Sequence, residues 1–287
     1  MARATIFPPQ RVTIVGVLNL TPDSFSDGGR FVRAGRLDVG AAVAAAEALV
    51  DAGAHVLDLG GESTRPGADP VGADEEIRRT APVLEALAKA VSVPLSIDTR
   101  KAAVAAAALD AGARVVNDVS GLRHDPALAE LAAARGATLV LGHLRGEPAT
   151  MQRDVAFDDV LGEVGAELAW SVARAEAAGV PRERLCVDPG IGFGKRLPQN
   201  LALLAGVGTL RRRLGLPVLV GPSRKSFLGE LTGEPAAERD AASHAACAVA
   251  IFAGADAIRV HDVAGARPTA LVASALRESA LGGGGRA

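Results

Sequence analysis

Three segments far apart in the chain, Asp51-Ala52-Gly53-Ala54, Asp110-Ala111-Gly112-Ala113 and Phe252-Ala253-Gly254-Ala255, close Ala-rich stretches in almost the same way. Each is followed by a short apolar run that stops at a polar residue. A Gly just past a helical stretch reads as its C-terminal cap, and a short apolar run bounded by breakers reads as a fully buried strand. The clearest such strand, Leu185-Cys186-Val187, ends at Asp188 and opens into Pro189-Gly190-Ile191-Gly192-Phe193-Gly194-Lys195. Glycines let that loop approach a ligand closely, because they carry no Cβ.

Read the same way, the chain shows strands at 12–18, 56–59, 94–97, 114–116, 138–141, 185–187, 217–220 and 257–258. Helices are predicted at 38–50, 75–90, 102–109, 126–134, 160–178, 200–214, 239–252 and 268–276. Eight strand–helix units in 287 residues predict an α/β chain closed into a TIM-type (β/α)8 barrel. An open doubly wound sheet is the alternative. No linker or shift in composition divides the chain, so one domain is expected over 12–280. It is preceded by an arm, 1–11, with two prolines and followed by a disordered Gly-rich tail, 281–287.

Composition narrows the partners. A hydrophobic content of 49% supports a large core, while a net charge of −2 and 3% aromatics, with no Tyr, argue against nucleic-acid binding. No apolar run is long enough for a membrane span, and the first residues lack the apolar core of a signal peptide. Cys186 and Cys247 fall in a predicted strand and a predicted helix, as buried free thiols in a reducing compartment would. A cytoplasmic location is the expectation.

In such barrels the loops after the strands build the active site. The polar residues there are Asn19, Thr64, Arg65, Asp98, Asn117, Asp188, Lys225, Arg259 and His261. Taken singly, each has an ordinary structural reading. An Asp that ends a strand caps the next helix, an Asn forms an Asx turn, and Arg65 forms a surface ion pair. Their placement together at nearly every strand exit is what those readings leave unexplained. By chemistry they form two sets. Asp98, Asn117, Asp188 and Lys225 suit a flat heterocycle with an amidine-like edge, because a carboxylate accepts two parallel N–H bonds. Thr64, Arg65, Arg259 and His261, with Asn19, suit a phosphate group. No Walker sequence is present, and the Gly-rich loop at 190–194 lacks dinucleotide-binding spacing.

These residues sit in segments that closely resemble the dihydropteroate synthase family. The segments are Asn19 to Gly29 (NLTPDSFSDGG), Glu62 to Gly67 (ESTRPG), Asp98-Thr99-Arg100, Asn117-Asp118, Asp188 to Lys195 (DPGIGFGK), Ser223-Arg224-Lys225-Ser226 and Arg259-Val260-His261-Asp262. They run in family order from Val15 to Val263. The resemblance implies a folate-pathway transferase, a sulfonamide target, that joins 6-hydroxymethyl-7,8-dihydropterin diphosphate to p-aminobenzoate and releases diphosphate, with Mg²⁺ present. It implies that Asp98, Asn117, Asp188, Phe193 and Lys225 hold the pterin. Asn19 would ligate Mg²⁺, and Thr64, Arg65, Arg259 and His261 would bind diphosphate oxygens with it. Phe25, Arg65, Pro66, Lys225 and Ser226 would border the p-aminobenzoate site, and Asp98, Lys225, Arg259 and His261 would carry the catalysis. A homodimer is implied as well. The two long loops are expected to close over the substrates and exclude water.

One departure stands out. Where the family has Met-His-Met after the fifth strand, this chain has Gly142-His143-Leu144. Loss of the first side chain would open the wall against the pterin face, while His143 is expected to be structural. Three other readings compete: a Schiff-base aldolase using Lys225 beside Arg224, a pterin-linked methyltransferase, and a paralogue that binds pterin without turnover. The long loop at 21–29 and the Ser63-Thr64-Arg65 set count against the methyltransferase.

Overall fold

The structure, a computed structural model, describes residues 5–8, 10–21, 31–33, 36–64 and 67–282. Strand β1 (Thr13–Asn19) precedes a small antiparallel ribbon, β2 (Val32–Arg33) and β3 (Arg36–Leu37). Then follow α1 (Val39–Asp51), β4 (Val56–Gly60), α2 (Ala73–Ala90), β5 (Leu95–Asp98), α3 (Ala102–Asp110), β6 (Val115–Asp118), α4 (Ala127–Arg135), β7 (Thr138–Gly142), α5 (Val160–Ala177) and β8 (Leu185–Asp188). The chain continues through α6 (Leu197–Ala205), α7 (Val207–Leu214), β9 (Leu219–Val220), α8 (Ser226–Thr232), α9 (Asp240–Ala253), β10 (Ala257–Val260) and α10 (Val263–Gly282). Apart from the ribbon, the strands form one parallel sheet in the order β8-β7-β6-β5-β4-β1-β10-β9. A parallel bridge between Val187 and Val218 joins its two edges. The sheet closes into the expected eight-stranded barrel rather than staying open.

The repeated helix exits do what their sequence suggests. Gly53, Gly112 and Gly254 adopt φ of +109°, +110° and +120°, a region side chains with a Cβ rarely enter. Each turns the chain from a helix back towards the barrel. The abundant Ala favours helix and also lets helices lie close to the strands, since Ala42, Ala46, Ala105 and Ala108 are all buried.

Besides the small ribbon β2–β3, which was not anticipated, three elements differ from expectation. The segment at 200–214 is two helices that meet at Gly206, where a Cβ would collide with Leu161. The short helix α8 follows Lys225 directly and was not anticipated. The last helix begins at Val263, five residues before Pro268, because the Asp262 side chain accepts the Gly265 N–H at 3.2 Å and caps it early. That helix runs through Gly282, and residues 283–287 of the expected tail lie outside the described residues.

Strand periodicity sets the level of the site. Phe7 from the N-terminal arm packs with Val15, Val56, Val115, Val140, Cys186, Leu219 and Ala257, which fill the lower barrel. Successive side chains alternate faces, so the residues two further along point the same way. They are Val17, Asp58, Asn117, Gly142, Asp188, Gly221 and Arg259, with Ser96 and then Asp98 on β5. The interior is thus apolar below and polar at the carboxyl ends of the strands.

Candidate active site

The polar layer is built around Arg259 of β10. Its Nε donates to Asp58 Oδ2 at 2.6 Å and its Nη2 donates to Asp98 Oδ2 at 2.8 Å. Asn117 Nδ2 donates to the same Asp58 oxygen at 3.0 Å. Residues from β4, β5, β6 and β10 therefore meet within hydrogen-bond distance. Strand pairing places Gly60 beside both Asn19 and Asp98, and Asp98 beside Asn117. The glycine at 60 leaves room there, since a Cβ would lie 3.7 Å from the Asp98 Cβ and 3.8 Å from Asn19 Oδ1.

Asp58 was missed by sequence reasoning. It is 1% exposed, and its Oδ1 accepts no hydrogen bond among the described residues. The available signal was a carboxylate inside an otherwise apolar buried strand, Val56-Leu57-Asp58-Leu59, where a charge must find a partner.

On the opposite side of the mouth, Asp188 ends β8 and accepts the Gly190 N–H at 2.7 Å. Lys225 reaches across from the loop after β9. Its ammonium donates to the Ile191 carbonyl and stands 3.9 Å from the centre of the Phe193 ring, a cation–π contact. Burial raises the Asp188 carboxyl, opposed by Lys225 and the Gly190 N–H. Burial lowers the Lys225 amine to about 8, opposed by Asp188. Burial likewise pushes Asp98 up to about 7, with Arg259 opposing the shift and Asp58 reinforcing it. Against the pull of burial, Asp58 and Asp98 hold the Arg259 guanidinium above its usual range. Groups poised near neutrality at one barrel mouth are what acid–base and charge-stabilising chemistry uses.

The third group lies beside β1. Asn19 Nδ2 is 3.5 Å from His261 Nε2, and His261 Nδ1 is 2.9 Å from Ser223 Oγ. Asn19 Oδ1 accepts no hydrogen bond among the described residues. No cluster of three or more His, Cys, Asp or Glu that could hold a metal occurs among the described residues. A protein-only Mg²⁺ cage is therefore absent there. Mg²⁺ commonly uses one or two protein oxygens and completes its shell with water and substrate phosphate, and Asn19 suits that arrangement.

Thr64 is half-buried at the start of the second long loop, and Ser226 is exposed at the first position of α8. Phe25, Arg65 and Pro66 lie outside the described residues. The stem of the second loop is tied by Glu62, which accepts the Val71 N–H at 2.9 Å and pairs with Lys101 at 3.0 Å. A cavity of about 380 Å³ lies between α1 and the start of α10, lined by Ala45, Leu49 and Val263 and reaching His261 and Asp262. It touches the site at His261, but its walls carry none of the site carboxylates.

The wall at Gly142 is not open. A Cβ there would stand 2.5 Å from the Val119 Cα and 2.8 Å from its carbonyl oxygen, so the loop after β6 fills the space a side chain would need. Gly142→Met, which restores the residue usual in the family, is expected to lower stability by about 1–3 kcal/mol through overpacking. Urea unfolding of the variant checks this, and unchanged stability would refute it. His143 is buried and hydrogen-bonded within the protein, away from the carboxylate cluster.

Known proteins are similar to this chain in sequence and in fold. A profile of the family described as pterin binding enzyme matches residues 15–261. The dihydropteroate synthase of Synechocystis is 45% identical over 268 residues, covering 93% of this chain and 91% of that protein. A Haloferax volcanii protein, a probable bifunctional folylpolyglutamate synthase/dihydropteroate synthase, is 51% identical over 250 residues. That match spans 87% of this chain and only 29% of the larger protein. The crystal structure of Xanthomonas albilineans dihydropteroate synthase with 4-aminobenzoic acid superposes with a TM-score of 0.84 at 44% identity, covering 93% of both chains. With its fold and its sequence both matching along the length of the barrel, this chain belongs to the dihydropteroate synthase family of pterin binding enzymes.

Proposed function

We propose that this chain condenses 6-hydroxymethyl-7,8-dihydropterin diphosphate with p-aminobenzoate to give 7,8-dihydropteroate and diphosphate. The observation that carries the reading is the convergence of Asp58, Asp98, Asn117, Asp188, Lys225 and Arg259 at one end of the barrel of a dihydropteroate synthase. A carboxylate at Asp188 accepts the amidine edge of the pterin, and Asp98 and Asn117 meet other ring positions. Phe193 and Lys225 border the ring. As the C–O bond to diphosphate breaks, positive charge grows on the pterin methylene group and negative charge on the leaving group. Buried carboxylates favour the first, and Arg259, His261 and Thr64 favour the second. The arylamine nitrogen then bonds to the methylene carbon and loses a proton. Arg65 would join the leaving-group set, and Phe25, Pro66 and Ser226 would border the arylamine. Asn19 would offer Oδ1 to Mg²⁺, which neutralises diphosphate charge when bound.

The expected pH profile of kcat/KM for the pterin substrate is bell-shaped. The acid limb follows ionisation of Asp98 near 7, and the alkaline limb follows loss of the Lys225 proton near 8. Lys225→Arg should push the alkaline limb beyond the measurable range, because guanidinium stays charged. A profile flat from pH 6 to 9 would contradict both assignments. The deciding experiment for the function is an assay of dihydropteroate formation from the two substrates, with and without Mg²⁺. Binding of the pterin diphosphate with no coupling would instead support a non-catalytic pterin binder.

A homodimer is part of the same reading. Val249 and Phe252 on α9 and Leu271, Val272 and Leu276 on α10 are more than half exposed on two helices packed together, as a subunit interface would leave them in one protomer. No helix among the described residues is long and apolar enough to cross a membrane, and Cys186 and Cys247 are free and buried. The buried free thiols fit the cytoplasmic location proposed here.

A further inference from the structure

The loop after β8 carries four consecutive carbonyls, and side chains donate to every one of them. Lys195 Nζ donates to the Gly190 oxygen at 2.9 Å and to the Phe193 oxygen at 2.9 Å. Lys225 donates to Ile191, and Gln152 Nε2 donates to Gly192 at 2.9 Å. The loop needs such partners because Gly190, Gly192 and Gly194 all have positive φ, which keeps its backbone out of any regular ladder. Among these donors, Lys195 is the buried one, at 2% exposure. Its side chain folds back beneath its own loop rather than reaching solvent.

Beyond the two loop oxygens, the Lys195 ammonium lies 3.3 Å from the His143 carbonyl oxygen and 3.0 Å from His143 Nδ1. His143 Nε2 lies 3.2 Å from Glu167 Oε2, and Arg145 Nε donates to the other Glu167 oxygen at 2.9 Å. The geometry fixes the proton positions. An ammonium has no acceptor, so Nδ1 accepts and the ring proton sits on Nε2, close to Glu167 but outside hydrogen-bond geometry with it. Burial lowers His143 to about 4, so the ring is neutral and keeps that acceptor. The His143 ring and the Arg145 guanidinium beside it hold Glu167 down at about 2. Burial lowers Lys195 to about 7, opposed by Asp188. Even the neutral amine retains two N–H donors for the Gly190 and Phe193 oxygens.

We propose that Lys195 is a positioning residue for the pterin site, clamping the Gly190 and Phe193 carbonyls so that the loop presents Asp188 and Phe193 to the ring, with His143 and Glu167 orienting the clamp. The loop amide of Gly190 holds Asp188, and the ring of Phe193 faces Lys225, so a shift of this loop displaces all three pterin contacts together. Lys195 would touch neither substrate. A Cβ at Gly190 would collide with the His143 carbonyl oxygen, which shows how closely the clamp draws the two loops together.

The inference rests on the proposed pterin transferase activity. Its test is equilibrium binding of 6-hydroxymethyl-7,8-dihydropterin diphosphate, with steady-state kinetics for both substrates, in wild type and Lys195→Met. Methionine keeps most of the volume and removes the donors. The expected result is a 30-fold or greater loss of pterin diphosphate affinity, with the KM for p-aminobenzoate and kcat at saturation changed less than threefold. A purely structural lysine would instead lower the melting temperature and reduce active protein without this split. Pterin affinity within twofold of wild type would overturn the proposal, as would an equal loss for both substrates. Should Lys195→Met not fold, Glu167→Gln decides. A selective three- to tenfold weakening of pterin binding supports the clamp, and unchanged pterin binding rejects it. Failure of wild type itself to bind the pterin diphosphate would count against the activity, a result separable from any effect of the variants.

Discussion

Asp188→Ala is expected to abolish measurable binding of the pterin substrate while leaving the barrel folded. Asp188 ends β8 with one oxygen already engaged by the Gly190 N–H, so its orientation is set before any ligand arrives. A ligand edge with two parallel N–H groups finds in it an acceptor that costs little to reorganise. Truncating one partner of a buried, charge-assisted pair costs about 2–5 kcal/mol, which is roughly 30- to 5,000-fold in affinity. The loss propagates, because Asp188 is the main group opposing the depression of the Lys225 amine. Without it, Lys225 should titrate below about 8, and residual activity should fade at a lower pH than in wild type. Asp188→Asn should lie between the two, since an amide oxygen can still accept from Gly190 but carries no charge. Calorimetric titration with the pterin diphosphate, beside a thermal melt, checks this. Affinity within threefold of wild type in a folded Asp188→Ala protein would remove Asp188 from the site.

The strand exits were legible because two periodicities coincide there. A buried parallel strand reads as a short apolar run, and the first polar residue after it marks the barrel mouth, as at Asp98, Asn117, Asp188 and Arg259. Asp58 obeys the same alternation but sits inside β4, with Leu59 and Gly60 still to follow, so attention to exits alone passes it over, although an acid between Leu57 and Leu59 is visible in the sequence. Gly142 shows a different limit. The sequence reveals that a side chain is missing, yet whether the space stays open depends on Val119, which arrives from the neighbouring strand's loop. Lys195 was legible only as the end of a Gly-rich turn. That its amine folds inward to meet His143 is a contact across 52 residues, set by the pairing of β7 with β8. The splitting of 200–214 at Gly206 likewise depends on Leu161 of α5. Local pattern thus gave the level of the site, and long-range packing decided which groups occupy it.

Arg259→Met should be the most damaging single change in the mouth, affecting both stability and turnover. The guanidinium is the cation between Asp58 and Asp98, and the variant would leave both carboxylates in place without it. Removing one partner of a buried ion pair costs about 3–5 kcal/mol, and the partial exposure of Arg259, 20% of its side chain, favours the lower end. The penalty should depend on pH in a definite direction. Asp98 already sits near 7 with Arg259 opposing that rise, so loss of Arg259 drives it higher, well above its unfolded value. Between the unfolded and folded values the native state then binds more protons than the unfolded chain, and stability falls as pH increases. The variant should therefore be least stable at pH 8 and recover part of the loss by pH 5, where Asp98 is protonated and needs no cation. Arg259→Lys should retain much of the stability, because a charge remains, yet lose rate, because an ammonium cannot bridge two carboxylates with the same fork. Urea unfolding at pH 5 and pH 8, with assays at neutral pH, tests the set. Equal stability of wild type and Arg259→Met at pH 8 would show that the buried triad does not hold the mouth together.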